Sequence, residues 1–246
     1  MTPRARRFLL PALMTAAMLI VLLGLGTWQM QRLFWKQELL AQVDRAEANG
    51  AVPLPAGPAA FSPVPFTPVP FTKVSVTGTF LTGQTAWYGA EVRTIPSGPA
   101  MGARMIVPLR RTEGGGVVLV DRGWAPSSRA APIGQPAGET TIVGYVRFGD
   151  RAGWFSAQDD VVERRFYTLD PKAMGEALGQ PAVLPFVLVA LGEGPGENGV
   201  VRSWPDPARH LPHPPNSHLS YMITWYGLAV ALLAIFVVWA RKGRHA

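Results

Sequence analysis

The chain has 246 residues, 48% of them hydrophobic, a formal net charge of +7 and no cysteine. The missing cysteine excludes a disulfide framework, a thiol nucleophile and copper delivery through a Cys pair. The charge sits in the tails: the first 30 residues carry +3, residues 241–246 another +3, and the 210 residues between them only +1. Basicity placed beside apolar segments is no argument for nucleic-acid binding.

Residues 1–7 form a short tail with Arg4, Arg6 and Arg7, and Phe8 to Gly26 is then apolar throughout, interrupted only by Pro11. A cleaved signal peptide has an apolar core of about 7–15 residues followed by a small-residue cleavage site. This run is longer and ends in Gly26-Thr27-Trp28-Gln29 without an A-x-A site. We read 8–30 as an uncleaved transmembrane helix, with Arg6-Arg7 as its cytoplasmic anchor rather than a twin-arginine export signal. Trp28, Arg32 and Lys36 are spaced by four, and Trp35 lies seven from Trp28. These spacings give one aromatic and cationic helical face. An arginine there can hold a carboxylate or a propionate in a fork. The competing reading is an interfacial belt of Trp with a snorkelling Arg.

Leu33 to Ala48 continues as helix and stops at Asn49-Gly50. Residues 53–70 hold seven prolines, which predicts an extended, semi-rigid linker. We therefore expect 31–70 to be a juxtamembrane helix and a proline-rich linker. From there the texture is β. Alternation predicts strands over Phe71–Phe80, Thr85–Val92, Arg104–Arg110, Val117–Asp121, Thr140–Arg147, Arg164–Leu169 and Val183–Ala190. Glu113-Gly-Gly-Gly116 is a hairpin turn, since a strand and not a helix follows it. One short helix interrupts the series, with Asp170 as N-cap, Pro171 at its first position and Gly179 closing it. Residues 71–203 thus read as a mainly antiparallel β domain, a small barrel or sandwich with one short helix. Asp159-Asp160 is better read as a solvated turn than as a metal site, because neighbours on a strand face opposite ways. No hydrolase motif, zincin pair or phosphate loop is visible, so we expect no enzyme.

Residues 204–220 are a second proline-rich stretch and carry His210, His213 and His218. An H-x-x-H pair plus a third His could take zinc or copper. With five prolines between Trp204 and Asn216, we favour exposed loop residues for His210 and His213. Tyr221 to Ala240 is 20 residues without a charge, about 30 Å as a helix, and predicts a second span over 221–240. Arg241, Lys242 and Arg244 follow in the 241–246 tail. Both tails are basic, so both termini are expected in the cytoplasm and 31–220 on the other side. That brings Trp28, Gln29 and Arg32 to about the height of His218. His218, Tyr221, Met222 and Trp225 have helical spacing along one face. An imidazole at the lip of a span, backed by aromatics, suits a haem or metal ligand. The same residues also suit a headgroup-level belt.

Gly26-x-Trp28-Gln29-x-x-Arg32, with Lys36 after it, resembles the amino-terminal signature of the surfeit locus protein 1 family. Asn216-x-His218-Leu219-x-Tyr221-x-x-Thr224-Trp225-Tyr226-Gly227-Leu228-Ala229 is similar to that family's carboxy-terminal signature. Between them, Val120-Asp121-Arg122-Gly123-Trp124-Ala125-Pro126 resembles its Arg-Gly-Trp strand end, and Phe71 to Phe80, with Gly78, its opening strand. The likeness spans about residues 20–240. The chain departs from it in the proline-rich insert before Phe71 and in Ser217, where a second Asn is common.

The resemblance implies a two-span membrane protein that assists assembly of cytochrome c oxidase, acting on its haem a-containing catalytic subunit. It makes His218 the leading axial-ligand candidate for haem a. Arg32 and Lys36 would then meet propionates and Trp28 and Trp225 the macrocycle, with Gln29 and Tyr221 beside them. The haem a synthesis machinery and membrane lipid are further expected partners, and nucleic acid is not. The alternative is a haem-free scaffold in which Gly24-x-Gly26 and Gly227-x-Ala229 let helices approach. A basic start that leads straight into the first span favours a bacterial plasma membrane, with a periplasmic central domain.

Overall fold

The computed structural model describes residues 3–55, 72–127, 133–134, 136–192, 204–212 and 216–245, with side chains placed from 8 to 242. The proline-rich linker from 56 onward, Phe71 and His213 lie outside these residues. The chain divides into two compact units, Met1–Gln42 with His213–Ala246, and Val43–Pro212.

The first unit is a helix pair. Helix α1 runs unbroken over Pro3–Ala48, its final residues belonging to the second unit. It ends where Asn49 N–H donates to Arg45 O at 3.1 Å. The partner helix covers His218–His245. Each carries an 18-residue window apolar enough to cross a membrane. The surface they share on α1 is a narrow stripe, with Leu22, Gly26, Gln29 and Leu33 buried at spacings of four, three and four. That is the seam of two helices packed at a shallow angle. Two membrane-spanning helices thus flank a β domain in the sequence.

The second unit is a closed sheet. Its strands are β1 (Val52–Pro53), β2 (Lys73–Phe80), β3 (Ala86–Ile95), β4 (Gly98–Arg111), β5 (Val117–Pro126), β6 (Glu139–Phe148), β7 (Arg165–Phe166) and β8 (Val183–Ala190). The order is β1-β2-β6-β8-β5-β4-β3-β7, and β2 also pairs with β4. That extra pairing joins β2, β6, β8, β5 and β4 into a ring, so the choice between barrel and sandwich falls to the barrel. Gly78 sits at the junction, paired with Thr140 of β6 and Arg111 of β4. A Cβ at this position would collide with Arg110 O, so only glycine lets β2 change neighbours here. Among the described residues, β1–β2, β3–β7 and β5–β8 are parallel and the other pairings antiparallel.

Strand parity explains the layers. Val74, Val76, Met105, Val107, Leu109, Val118, Val120, Phe186 and Leu188 share the barrel interior. The opposite faces of β4, β5 and β8 supply Ile106, Leu119 and Val187. These are covered from outside by a short helix, α2 (Pro171–Ala177), through Met174 with Leu178 just beyond it. We number the second membrane helix α3. Because β4, β5 and β8 are buried on both faces, they read as continuous apolar runs. Asp170 caps α2 as expected, accepting from Lys172 and Ala173 N–H at 2.9 and 3.1 Å. The expected strand Arg164–Leu169 shortens to β7: Arg164 takes a left-handed φ of 54° at one end, and Asp159 Oδ1 takes the Tyr167 and Thr168 N–H at the other. The β3–β4 arms run further than expected, to a tight turn at Gly98. Their outer residues are largely exposed, so apolar alternation fades there. Residues 52–55, the opening of the expected linker, join the barrel instead. Leu54 is buried, and Arg111 Nη2 donates to Leu54 O at 2.7 Å and to Pro55 O at 2.9 Å.

Candidate functional site

The residues singled out at the two ends of the sequence all fall in the helix pair. His218 is the first residue of α3, and its N–H is held by Asn216 Oδ1 at 3.4 Å. Its ring Nδ1 lies 2.8 Å from Oε1 of Gln29 on α1. An amide oxygen only accepts, so Nδ1 is the donor in this bond and Nε2 lies outside it. Gln29 is buried and its bond holds the ring plane.

Two residues deeper on α1 and eight on the partner helix, the Tyr226 hydroxyl meets Thr27 Oγ1 at 3.1 Å. Thr27 donates its own proton to Leu23 O at 2.8 Å, so Tyr226 is the donor in the pair. Gly26 makes room for this ring: a Cβ there would lie 2.8 Å from Tyr226 Cε1. At the far end, Phe8 and Trp239 meet edge to face at 5.3 Å. Phe8 to Gln29 and His218 to Trp239 are equal lengths of helix, about 30 Å each. The helices are antiparallel and touch at both limits of a hydrocarbon core's thickness.

The other candidates are distributed around this line. Trp225 and Lys36 are half-buried. Trp28 is 49% exposed and Tyr221 53%. Arg32 is exposed and lies over the Trp35 ring at 5.1 Å. Spacing alone put Tyr221 on one face with His218, Met222 and Trp225. The inward line instead runs through His218, Met222, Trp225, Tyr226 and Ala229, with Tyr221 turned away from it. Of the small-residue pairs, Gly26 and Ala229 are buried, while Gly24 and Gly227 have nothing within 4 Å of an added Cβ.

A model of the SURF1 family matches residues 16–230. The chain belongs to the SURF1 family. It is 32% identical over 234 residues to a SURF1-like protein of Monosiga brevicollis, covering 91% of this chain and 85% of the relative. It is 27% identical over 219 residues to surfeit locus protein 1 of Homo sapiens, covering 85% of this chain and 70% of the relative. A SURF1-like protein of Rickettsia felis is 27% identical over 225 residues, covering 90% and 93%. The SURF1 family is one of cytochrome c oxidase assembly factors.

Within this SURF1 chain, the Asp121-Arg122-Gly123-Trp124 stretch is structural. Asp121, almost fully buried, accepts from Arg104 Nε at 2.5 Å and from Gly123 N–H at 3.0 Å. Burial alone would lower the Arg104 guanidinium, but the Asp121 charge and hydrogen bond carry it above its usual value. Trp124 is fully buried and packs edge to face on Trp204 at 5.3 Å. Asp159 stitches its loop, accepting Tyr167 and Thr168 N–H at 2.5 and 3.1 Å. No cluster of three or more metal-binding side chains occurs among the described residues. His210 binds its own loop through Nδ1 to Leu211 O at 2.9 Å.

Sequence reasoning gave Tyr226 and Thr27 no part. The only available signal was the placing of Gly26 and Tyr226 inside the two end signatures. As for a haem, an imidazole held through Nδ1 by a second side chain, with Nε2 outside that bond, is the kind of donor that would hold its iron. The residues present fit the group.

Proposed function

We propose that this protein handles haem a during assembly of cytochrome c oxidase, with His218 as its iron ligand. The observation that carries this reading is the Gln29–His218 bond, which engages Nδ1, orients the ring and leaves Nε2 as the nitrogen outside that bond. When bound, the haem would supply an iron centre for the imidazole and a cargo for the oxidase. Gln29 holds the ligand ring rather than meeting the cofactor itself. Arg32, backed by Trp35, offers an exposed guanidinium for a propionate, with Lys36 one turn on. Trp225 borders the ring line, and Trp28 and Tyr221 face lipid, where an isoprenoid tail would lie. In the topology we propose, both basic tails are cytoplasmic and the barrel faces the periplasm of a bacterial plasma membrane. The partners are then the oxidase catalytic subunit and, upstream, the haem a synthesis machinery.

The test is a pyridine haemochrome spectrum of detergent-purified protein co-expressed with haem a synthesis. We expect near-stoichiometric haem a in the wild type and its loss in His218→Ala. Equal haem in the two proteins would defeat the ligand assignment.

A second reading, a haem-free scaffold, is favoured by one observation. Gly26, Tyr226 and Ala229 form a close-packed helix contact that needs no cofactor. On that reading the oxidase subunit co-purifies equally with His218→Ala, and oxidase assembly proceeds in that strain.

A further inference from the structure

The excursion between β6 and α2 is closed at its base by Asp150 N–H donating to Leu169 O at 2.8 Å. At one corner, Gly153 N–H donates to Ser156 Oγ at 2.7 Å and Ser156 N–H returns to Gly153 O at 3.1 Å. The two residues at the apex of this turn are Trp154 and Phe155, each 95% exposed. At the next corner, where Arg164 N–H reaches Val161 O at 3.3 Å, Val162 is 89% exposed. Among the described residues these are the most exposed large apolar side chains in the chain, ahead of Ile20 on α1 at 72%. Turn apices ordinarily take Gly, Asn, Asp, Ser or Pro, for conformational reasons. Here they carry the residues that lose most by facing water. The Asp159 bonds to Tyr167 and Thr168 and the Asp160 bond to Glu163 N–H hold the loop in shape, so the tip is presented, not merely unpacked.

We propose that Trp154 and Phe155 enter the headgroup boundary of the bilayer, a third and non-spanning membrane contact. Three observations favour lipid as the occupant. The unit that carries the loop is joined covalently to a membrane helix at each end, directly after Gln42 and across the five residues between Pro212 and His218. It therefore never leaves the neighbourhood of a bilayer, and its local lipid concentration is high. Two aromatic side chains offer about 300–500 Å² of contact, short of the ~800 Å² per partner that a specific protein interface buries. A bilayer asks for no complementary surface and takes Trp at its interface readily. Finally, Arg151 is the only formal charge in 151–158. The nearest carboxylates in sequence, Asp150 and Asp159, lie four residues from the aromatic pair on either side, and a guanidinium suits headgroup phosphates.

The absence of cysteine makes the test clean, since a nitroxide attaches only where a thiol is introduced. Full-length Phe155→Cys and Gln158→Cys proteins, spin-labelled, would be placed in nanodiscs of phosphatidylcholine and phosphatidylglycerol. We expect the label at 155 to collide with oxygen more than with a water-soluble nickel chelate, and the label at 158 to show the reverse. Adding Trp154→Ser to Phe155→Cys should shift that label toward the chelate. Equal chelate access at both positions overturns the proposal. So does a label at 155 that stays aqueous until the oxidase catalytic subunit is added, which would make the tip a protein-docking knob. Both positions are exposed, and neither bears on the His218 site.

Discussion

The barrel and the helix pair solve burial in different ways. In the barrel the deepest side chains are large and apolar, with Phe166, Phe186, Ile106 and Leu109 all at or below 1% exposure. Of its two buried charges among the described residues, Asp121 is matched by Arg104 and Arg111 donates to the Leu54 and Pro55 carbonyls. In the helix pair the buried apolar residues are few, and between them sit a glutamine and a tyrosine–threonine contact. Water drives the first arrangement. In the second, lipid is as apolar as leucine, so close packing and hydrogen bonds decide which helices meet and in what register. Polar groups between the helices therefore specify more than they stabilise.

Four changes would break or sharpen this contrast. The largest effect is expected from Asp121→Asn, which strips a mostly buried Arg104 of its counter-charge. Full burial of an unpaired charge costs about 3–5 kcal/mol; partial solvent access at Arg104 brings the expectation to about 2–3 kcal/mol of barrel stability, read by urea unfolding of the full chain in detergent. Next is Gly26→Leu, which drives a side chain into the Tyr226 ring and should weaken the helix pair by about 1–3 kcal/mol. Energy transfer between dyes on the two spans in nanodiscs would report it. Gly24→Leu, facing open space, should leave the signal unchanged, and equal losses in both variants would refute the packing account.

Gln29→Leu should weaken the pair by only about 0.6 kcal/mol, the mean for hydrogen bonds between membrane helices. If Gln29 orients the haem ligand, the same variant should lower haem affinity by about tenfold or more, an effect of a different size on the same bond. The smallest effect concerns pH. Burial raises the Tyr145 phenol above its ordinary 10.0, aided by the Asp121 charge and opposed by Arg104 and Arg147. The folded protein then holds a proton that the unfolded chain gives up. That contribution is complete below about pH 10 and is lost as pH climbs through the raised value. Melting temperatures of wild type should fall across that range more than those of Tyr145→Phe.

The strands that line the barrel interior were legible because alternation survives where one face meets the core. The closure was not. The β2–β4 and parallel β5–β8 pairings depend on contacts between segments far apart in sequence, and Gly78 alone marks the junction. At the candidate site, helical spacing and the family likeness together nominated His218 and Gln29, but neither indicated that the two side chains bond. The same spacing grouped Tyr221 with His218, because three and four residues are both near one turn. Which of Tyr221 and Met222 turns inward depends on where α1 lies, and a single helix does not encode that.

The equal helix lengths between the two end contacts have a consequence for the membrane itself. With Gln29–His218 fastened at one limit and Phe8–Trp239 packed at the other, neither helix can shorten its span by sliding along its partner. In a thinner bilayer the pair must lean as one object, or the lipid must stretch to meet it. The two contacts act as a calliper, and the protein should reside most comfortably where the membrane matches its jaws.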